Sequence, residues 1–105
     1  MIPTFVINLE RDVDRRATMA ARLEALNIPY RFLAAIDGRK LTDDDLRRMS
    51  PAHSLAYPRP LIPSEVACGM SHLAAIAEGA RLDCDFFCVL EDDTTLAPAL
   101  PERVA

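Results

Sequence analysis

Three apolar runs along the chain predict three β-strands. They cover residues 4–9, 30–36 and 86–90, and β-branched or aromatic residues occur in all of them. The first and third runs are apolar without alternation, which is typical of strands buried on both faces, as in a parallel sheet. Asn8 is a polar exception near the end of the first run, where it either hydrogen-bonds a neighbouring loop or faces a ligand.

A helix is predicted between the first two strands. Asp12 is a favourable N-cap residue, and Met19, Leu23 and Leu26 recur at the spacing of one helical face. These three side chains should therefore pack against the sheet. Asn27 suits the left-handed conformation that ends many helices.

Two further helices are predicted before the third strand. Thr42 and Asp45 form the pattern of a capping box, which predicts a short helix from residue 42. A long irregular loop with four prolines follows over residues 50–63. Ser64 is then the expected N-cap of a helix that runs to about residue 80. Its apolar positions predict the face towards the sheet: Val66, Met70, Leu73 and Ala77.

The order of these elements predicts an α/β fold. Strands separated by helices form parallel sheets with right-handed crossovers, and the simplest arrangement has the strand order 2-1-3. We expect a three-layer, mostly parallel sheet of about three strands, like half of a Rossmann fold. Ligands bind such sheets at the switch point, here between strands 1 and 3. Asn8 and Arg11 would meet residues 91–93 there.

Three acidic residues directly follow the third strand: Glu91, Asp92 and Asp93. Adjacent carboxylates repel one another unless they are solvated or share a cation. A hard divalent ion such as Mn²⁺ or Mg²⁺, with a diphosphate as a further ligand, suits these oxygen donors. The alternative is an acidic, solvated turn.

Basic residues gather at the predicted start of the first helix. Arg11, Arg15 and Arg16 are unfavourable there unless they meet an anion, because the helix dipole is positive at that end. A phosphate is one candidate partner. The alternative is that these arginines are solvated beside Asp12 and Asp14.

A second face of the helix after Ser64 carries Glu65, Gly69 and His72. A glycine inside a helix often permits close approach of another group. His72 either faces a ligand or is a hydrogen-bonded histidine beneath the preceding loop.

Length and charge narrow the functional classes. The 105 residues suffice for one domain with a real core, and the net charge of −4 gives no reason to expect nucleic-acid binding. No apolar run reaches the roughly 18 residues of a membrane span, and no signal peptide precedes the first strand. We therefore expect a cytoplasmic protein. The absence of Walker-type and GxGxxG loops argues against P-loop and Rossmann dinucleotide sites.

The three cysteines, Cys68, Cys84 and Cys88, are expected to be free thiols because their number is odd. Together with His72 they have a spacing that resembles a zinc pattern. If residues 84–88 are extended, however, the Cα atoms of Cys84 and Cys88 lie roughly 13 Å apart. Both sulfurs could not then reach one zinc ion, so we do not expect zinc at this set.

Four segments resemble motifs of glycosyltransferase family 25, in the same order. Residues 5–11 with Arg15-Arg16 resemble its "INL-R---RR" opening, residues 35–38 its "A-DG" segment, and residues 64–73 its "GEIGCALSHL" helix. Residues 89–93 resemble its "VLEDD", a local form of the DxD metal motif. Ser64 differs from the usual glycine, and Ala67 and Gly69 are placed differently from the family's glycine and alanine.

The resemblance implies a GT-A-like fold that binds a nucleoside-diphosphate sugar with Mn²⁺ or Mg²⁺. By that resemblance Glu91 and Asp93 are the metal ligands. The donor pocket would contain Asn8, Leu9, Arg11, Asp37, Gly38, His72 and Asp92. The family is associated with lipopolysaccharide biosynthesis, which implies a bacterial hexosyltransferase that inverts the anomeric centre and acts on a saccharide acceptor.

Family members are longer than this chain, so residues 1–105 are expected to form a single donor-binding domain without the acceptor half. The resemblance assigns no general base. The alternative to a glycosyltransferase is a non-catalytic module that binds a nucleotide or a partner protein.

The third strand has no proline or charge at residues 86–90 to protect an exposed edge. We therefore expect a homo-oligomer whose interface buries more than roughly 1,000 Å².

Overall fold

A computed structural model describes residues 2–49 and 61–104 of the chain. It contains a parallel three-stranded sheet in the order β2-β1-β3, which confirms the predicted α/β class and strand order. The proline-rich loop predicted over residues 50–63 lies mostly outside the described residues. In chain order the elements are β1 (Thr4–Asn8), α1 (Val13–Ala25), β2 (Arg31–Ala34), a 3₁₀ turn (Gly38–Lys40), α2 (Asp43–Met49), α3 (Pro63–Ala80), β3 (Cys88–Glu91) and α4 (Leu100–Val104).

The central strand β1 is buried along its whole length. Val6 is paired in register with Phe32 on one side and Leu90 on the other, and it belongs to the core cluster with Met19 and Leu23 of α1. Successive side chains of a strand point to opposite faces, so Phe5 is buried on the other face. The helix α3 contacts β1. The sheet therefore lies between helical layers.

Helix α1 ends as the sequence predicts. Met19 and Leu23 are fully buried and Leu26 packs against their cluster. Asn27 has a φ of 55°, the left-handed value that lets the chain turn out of the helix. Asp12 occupies the N-cap position, but its side chain makes no capping hydrogen bond.

The capping box of α2 is confirmed. The Thr42 hydroxyl accepts a hydrogen bond from the Asp45 backbone N–H at 3.1 Å, and the Asp45 carboxylate accepts one from the Thr42 backbone N–H at 3.0 Å. Each group satisfies a backbone donor that the first helical turn leaves free.

The predicted start of α3 is wrong by two residues. Ile62 is the N-cap and Pro63 the first helical residue, so Ser64 lies inside the first turn. Proline suits the first helical position because its φ is fixed near the helical value and the N–H it lacks is not needed there. The Glu65 carboxylate accepts a hydrogen bond from the Ile62 backbone N–H at 3.0 Å.

The predicted apolar face of α3 is correct at Val66, which is buried, and wrong at Leu73 and Ala77. Leu73 is 57% exposed, and Ala77 is exposed as well. The other buried residues of α3 have small side chains: Ala67, Ser71, Ala75 and Gly79. A Cβ on Gly79 would lie 2.5 Å from ring atoms of Phe87, so the glycine lets this ring approach the helix. Gly69, which was expected to permit close approach, has no neighbour within 4 Å among the described residues.

The third strand is shorter and less buried than predicted. It begins at Cys88, two residues after the expected start, and its side chains are half-buried or exposed. Phe86 is 72% exposed. Within the described residues β3 pairs only with β1, so one of its edges has no neighbouring strand.

None of the described helices combines the length and apolar character that crossing a membrane requires.

Candidate functional site

A cavity of about 610 Å³ opens at the carboxyl ends of the strands. Its size lies within the roughly 300–1,000 Å³ that is usual for small-molecule sites. Four segments line it: the end of β1 with the start of α1, the loop after β2, the first half of α3, and the acidic residues at the end of β3. Eight predicted site residues are among its lining: Leu9, Arg11, Asp37, Gly38, His72, Glu91, Asp92 and Asp93.

Asn8 is the predicted site residue that does not line the cavity. It is 2% exposed, and its Nδ2 donates hydrogen bonds to Asp92 Oδ2 at 2.8 Å and to the Asp12 carbonyl at 3.2 Å. Of the two interpretations that the sequence allowed, the hydrogen bond to neighbouring segments is the one observed. Asn8 thus ties the end of β1 to the acidic segment and fixes the Asp92 carboxylate.

Replacing Asn8 by alanine should lower the free energy of unfolding by about 1.5–3 kcal/mol, the usual contribution of a hydrogen bond to a charged group. Urea titration followed by circular dichroism measures the loss. The control is the same substitution in an Asp92→Ala background, where the acceptor carboxylate is already gone and the loss should be smaller. Equal losses in the two backgrounds would contradict the assigned role of this hydrogen bond.

Two arginines, one just before α1 and one in its first turn, have carboxylate partners around the cavity. Arg11 pairs with Asp37 in the loop after β2, and Arg15 Nη1 lies 3.6 Å from Asp92 Oδ1. Arg16 instead stacks over the Phe32 ring, with its guanidinium carbon 4.4 Å from the ring centre. Arg11 and Arg15 line the cavity while both stay largely exposed, so their charges are available at the opening.

The hydrogen bonds and charges around Asp37 favour its charged form. The Arg39 backbone N–H donates to its carboxylate at 3.0 Å, and this hydrogen bond, the Arg39 side chain and the nearby Arg11 hold the pKa of Asp37 below its ordinary value. The next residue, Gly38, lies against the start of α3. A Cβ at Gly38 would be 2.8 Å from the Pro63 carbonyl oxygen, so only glycine fits there without a backbone shift.

Ser71 was missed as a site residue, although it lines the cavity. Its hydroxyl is buried, donates to the Ala67 carbonyl at 2.7 Å and accepts from the Ile36 backbone N–H at 2.9 Å. It therefore ties α3 to the loop after β2. The sequence carried one available signal, a serine in a helix that can bond back to the carbonyl four residues earlier.

Glu91 meets two side chains of α3. The Cys68 thiol donates to Glu91 Oε1 at 3.3 Å, and His72 Nε2 lies 3.6 Å from the same oxygen. Burial, this hydrogen bond to Glu91 and the nearby negative charges raise the pKa of the Cys68 thiol. Asp93, the last acidic residue, is exposed at the cavity.

The four segments that line this cavity are the ones that resemble family motifs, and a family model agrees. The model described as Glycosyltransferase family 25 (LPS biosynthesis protein) matches residues 1–104. The chain belongs to glycosyltransferase family 25. The cavity is therefore the candidate functional site of a family 25 domain.

Several relatives are similar over nearly the whole chain. A "Glycosyltransferase 25 family member" of Aedes aegypti is 34% identical over 106 residues, which cover 96% of this chain and 18% of the relative. "Procollagen galactosyltransferase 2" of Mus musculus is 33% identical over 94 residues, 85% of this chain and 15% of the relative. A "Probable inactive glycosyltransferase 25 family member 3" of Rattus norvegicus is 34% identical over 105 residues, 95% of this chain and 18% of the relative. The family 25 chain thus spans less than a fifth of the length of these relatives.

Proposed function

We propose that this family 25 chain binds a nucleoside-diphosphate sugar in the cavity at the carboxyl ends of its strands. The proposal rests on one observation. The end of β1, the start of α1 and the acidic end of β3 lie together at the switch point of the sheet. The Asn8–Asp92 hydrogen bond of 2.8 Å spans that point. Open parallel sheets bind nucleotides in this position.

The charges of the cavity suit a diphosphate. Arg11 and Arg15 supply exposed cationic groups on the α1 side, and Glu91 and Asp93 supply carboxylates on the β3 side. An anionic diphosphate would contact the arginines directly. Opposite to them, a divalent cation could join the diphosphate to the carboxylates. The paired Asp37 and Asp92 would keep the arginines oriented.

The carboxylates also suit a hard metal ion. Mg²⁺ and Mn²⁺ prefer oxygen ligands, and in nucleotide sites Mg²⁺ is usually held by one or two carboxylates together with the phosphates. Asp93 is exposed at the cavity and is the main proposed ligand, with Glu91 as the second. When bound, the cation would offset the charge that develops on the departing diphosphate.

We further propose an inverting transfer in the whole protein. An acceptor hydroxyl attacks the anomeric carbon of the donor as the bond to the diphosphate breaks, and a general base takes the hydroxyl proton.

The acceptor proposed from the sequence is a saccharide of the lipopolysaccharide type. The mouse relative's name instead indicates procollagen as the acceptor for that protein. A cytoplasmic location and a homo-oligomeric state stay predictions.

Calorimetric titration with a panel of nucleoside diphosphates and their sugars tests donor binding. We expect binding in Mn²⁺ that weakens when EDTA replaces the metal, because the diphosphate then faces Glu91 and Asp93 without a cation between them. Nucleoside monophosphates serve as the matched control, since they lack the second phosphate. Equal affinity for a UDP-type ligand in Mn²⁺ and in EDTA would contradict the metal role, and no binding at all would contradict the donor site.

A non-catalytic domain is the second candidate, and one observation favours it. The rat relative at 34% identity is named as probably inactive. A domain of this kind would keep nucleotide binding without transfer. Acceptor-dependent release of the nucleoside diphosphate, measured with saccharide and with procollagen acceptors, distinguishes the two candidates.

A further inference from the structure

Three potential metal ligands of different chemistry meet beside the cavity. Cys68 and His72 lie one turn apart on α3, and Glu91 reaches them from the end of β3. One thiol sulfur, one imidazole nitrogen and one carboxylate oxygen lie within 4.8 Å of one another. Among residues 2–49 and 61–104, no other three histidine, cysteine or acidic side chains come together in this way.

Two of the three separations lie in the range of ligands around one tetrahedral ion. Zinc binds sulfur at about 2.3 Å and nitrogen or oxygen at about 2.0–2.2 Å, so tetrahedral angles place two ligand atoms about 3.3–3.7 Å apart. The sulfur–oxygen distance here is 3.3 Å and the nitrogen–oxygen distance is 3.6 Å. The sulfur and the imidazole nitrogen lie within 4.8 Å of each other. A single cation that replaces the thiol proton could therefore bind all three atoms after an adjustment of the Cys68 and His72 side chains.

The chemistry of the three ligand atoms also selects the kind of metal. A thiolate and an imidazole are poor ligands for Mg²⁺, which prefers oxygen, and are good ligands for zinc and similar borderline-soft ions. Three protein ligands leave a fourth position for water or for a ligand from the cavity, as in open zinc sites.

We propose that Cys68, His72 and Glu91 form a binding site for a borderline-soft divalent cation of the zinc type at the edge of the cavity. The set differs from the four-residue pattern that the sequence argued against, because Glu91 takes the place of Cys84 and Cys88. Glu91 is also a proposed ligand of the hard ion, so a zinc-type ion would compete for it and antagonise Mn²⁺-dependent donor binding. The binding of the soft ion itself does not require the proposed donor function.

Co²⁺ is the probe, because its spectrum reports both ligand type and coordination number. Titration of the reduced, metal-free chain without nucleotide should produce a sulfur-to-cobalt charge-transfer band and intense visible bands of a four-coordinate ion. Added Zn²⁺ should remove both by displacement. A wild-type spectrum that shows only weak, six-coordinate Co²⁺ would overturn the proposal.

Matched variants assign the ligands. Cys68→Ser should lose the charge-transfer band, whereas Cys84→Ser, which alters another exposed free cysteine, should keep it. His72→Gln should weaken Co²⁺ binding by at least the roughly 10–100-fold that removal of an outer-shell partner costs. A band that survives Cys68→Ser or disappears in Cys84→Ser would overturn the assignment. Circular dichroism of each variant confirms that the fold is kept.

Asp93→Ala separates this proposal from the donor site. Asp93 is not one of the three clustered residues, so the variant should keep the cobalt bands while it loses Mn²⁺-dependent nucleotide binding. Loss of the cobalt bands in Asp93→Ala would overturn the proposed separation of the two sites. Failure of wild-type nucleotide binding would count against the donor function alone.

Discussion

Replacing Asp93 by alanine should abolish the Mn²⁺ dependence of nucleoside-diphosphate binding. The variant removes the exposed carboxylate that we propose as the main ligand of the hard ion, and Glu91 is held by Cys68 and His72. Hard ions in nucleotide sites depend on one or two carboxylates together with the phosphates, so little protein ligation would remain. Calorimetric titration with UDP in Mn²⁺ and in EDTA should give the same, weak affinity for the variant.

Asp85→Ala is the matched control for that experiment. Asp85 is an exposed aspartate in the loop before β3 and does not line the cavity. The two variants change net charge equally, so a general electrostatic effect would appear in both. Full Mn²⁺ dependence in Asp93→Ala, or its loss in Asp85→Ala, would contradict the role of Asp93.

Replacing Leu23 by alanine should destabilise the fold by about 2–5 kcal/mol, the usual cost of this change in a core. Leu23 is 0% exposed and packs with Val6, Met19 and Ile28 between α1 and the sheet. The loss is a large part of the roughly 5–15 kcal/mol that stabilises a typical domain. Urea unfolding followed by circular dichroism at 25 °C gives the free energy directly.

The chain supplies a matched control for this substitution on another helix. Leu73 of α3 is 57% exposed, so Leu73→Ala removes the same atoms from a surface where little packing is lost. Its effect should stay within roughly 0.5 kcal/mol, as is usual for surface positions. Similar losses for the two variants would mean that the layer between α1 and the sheet does not dominate stability.

The sequence predicted the sheet better than the helix that covers its second face. Strand order follows from alternating strands and helices, and the left-handed Asn27 from its position after a periodic apolar run. The hydrophobic pattern of α3 predicts most of its buried face wrongly, because the pattern assigns Leu73 to the face towards the sheet. Leu73 is exposed, whereas Ser71 and Gly79 are buried, since a helix that lies close to a sheet needs small side chains.

The candidate site could likewise be predicted only in part from the sequence. Residues at strand ends were predicted to meet because parallel strands end at one edge, and the cavity there is lined by Arg11, Asp37 and residues 91–93. The interactions between side chains of different segments could not be predicted. The approach of Cys68 to Glu91 depends on how α3 is rotated about its axis, and the helical spacing of one segment does not fix that rotation against another.

The two sides of the sheet should constrain sequence change in opposite directions. Towards α1, large side chains fill the space, so reductions in volume leave cavities. On the buried face of α3, Ala67, Ser71, Ala75 and Gly79 recur every four residues, and a larger side chain would have to displace its neighbours. Natural and laboratory variants of this domain should therefore vary little in size on either side: the α1 side excludes smaller residues, and the α3 side excludes larger ones.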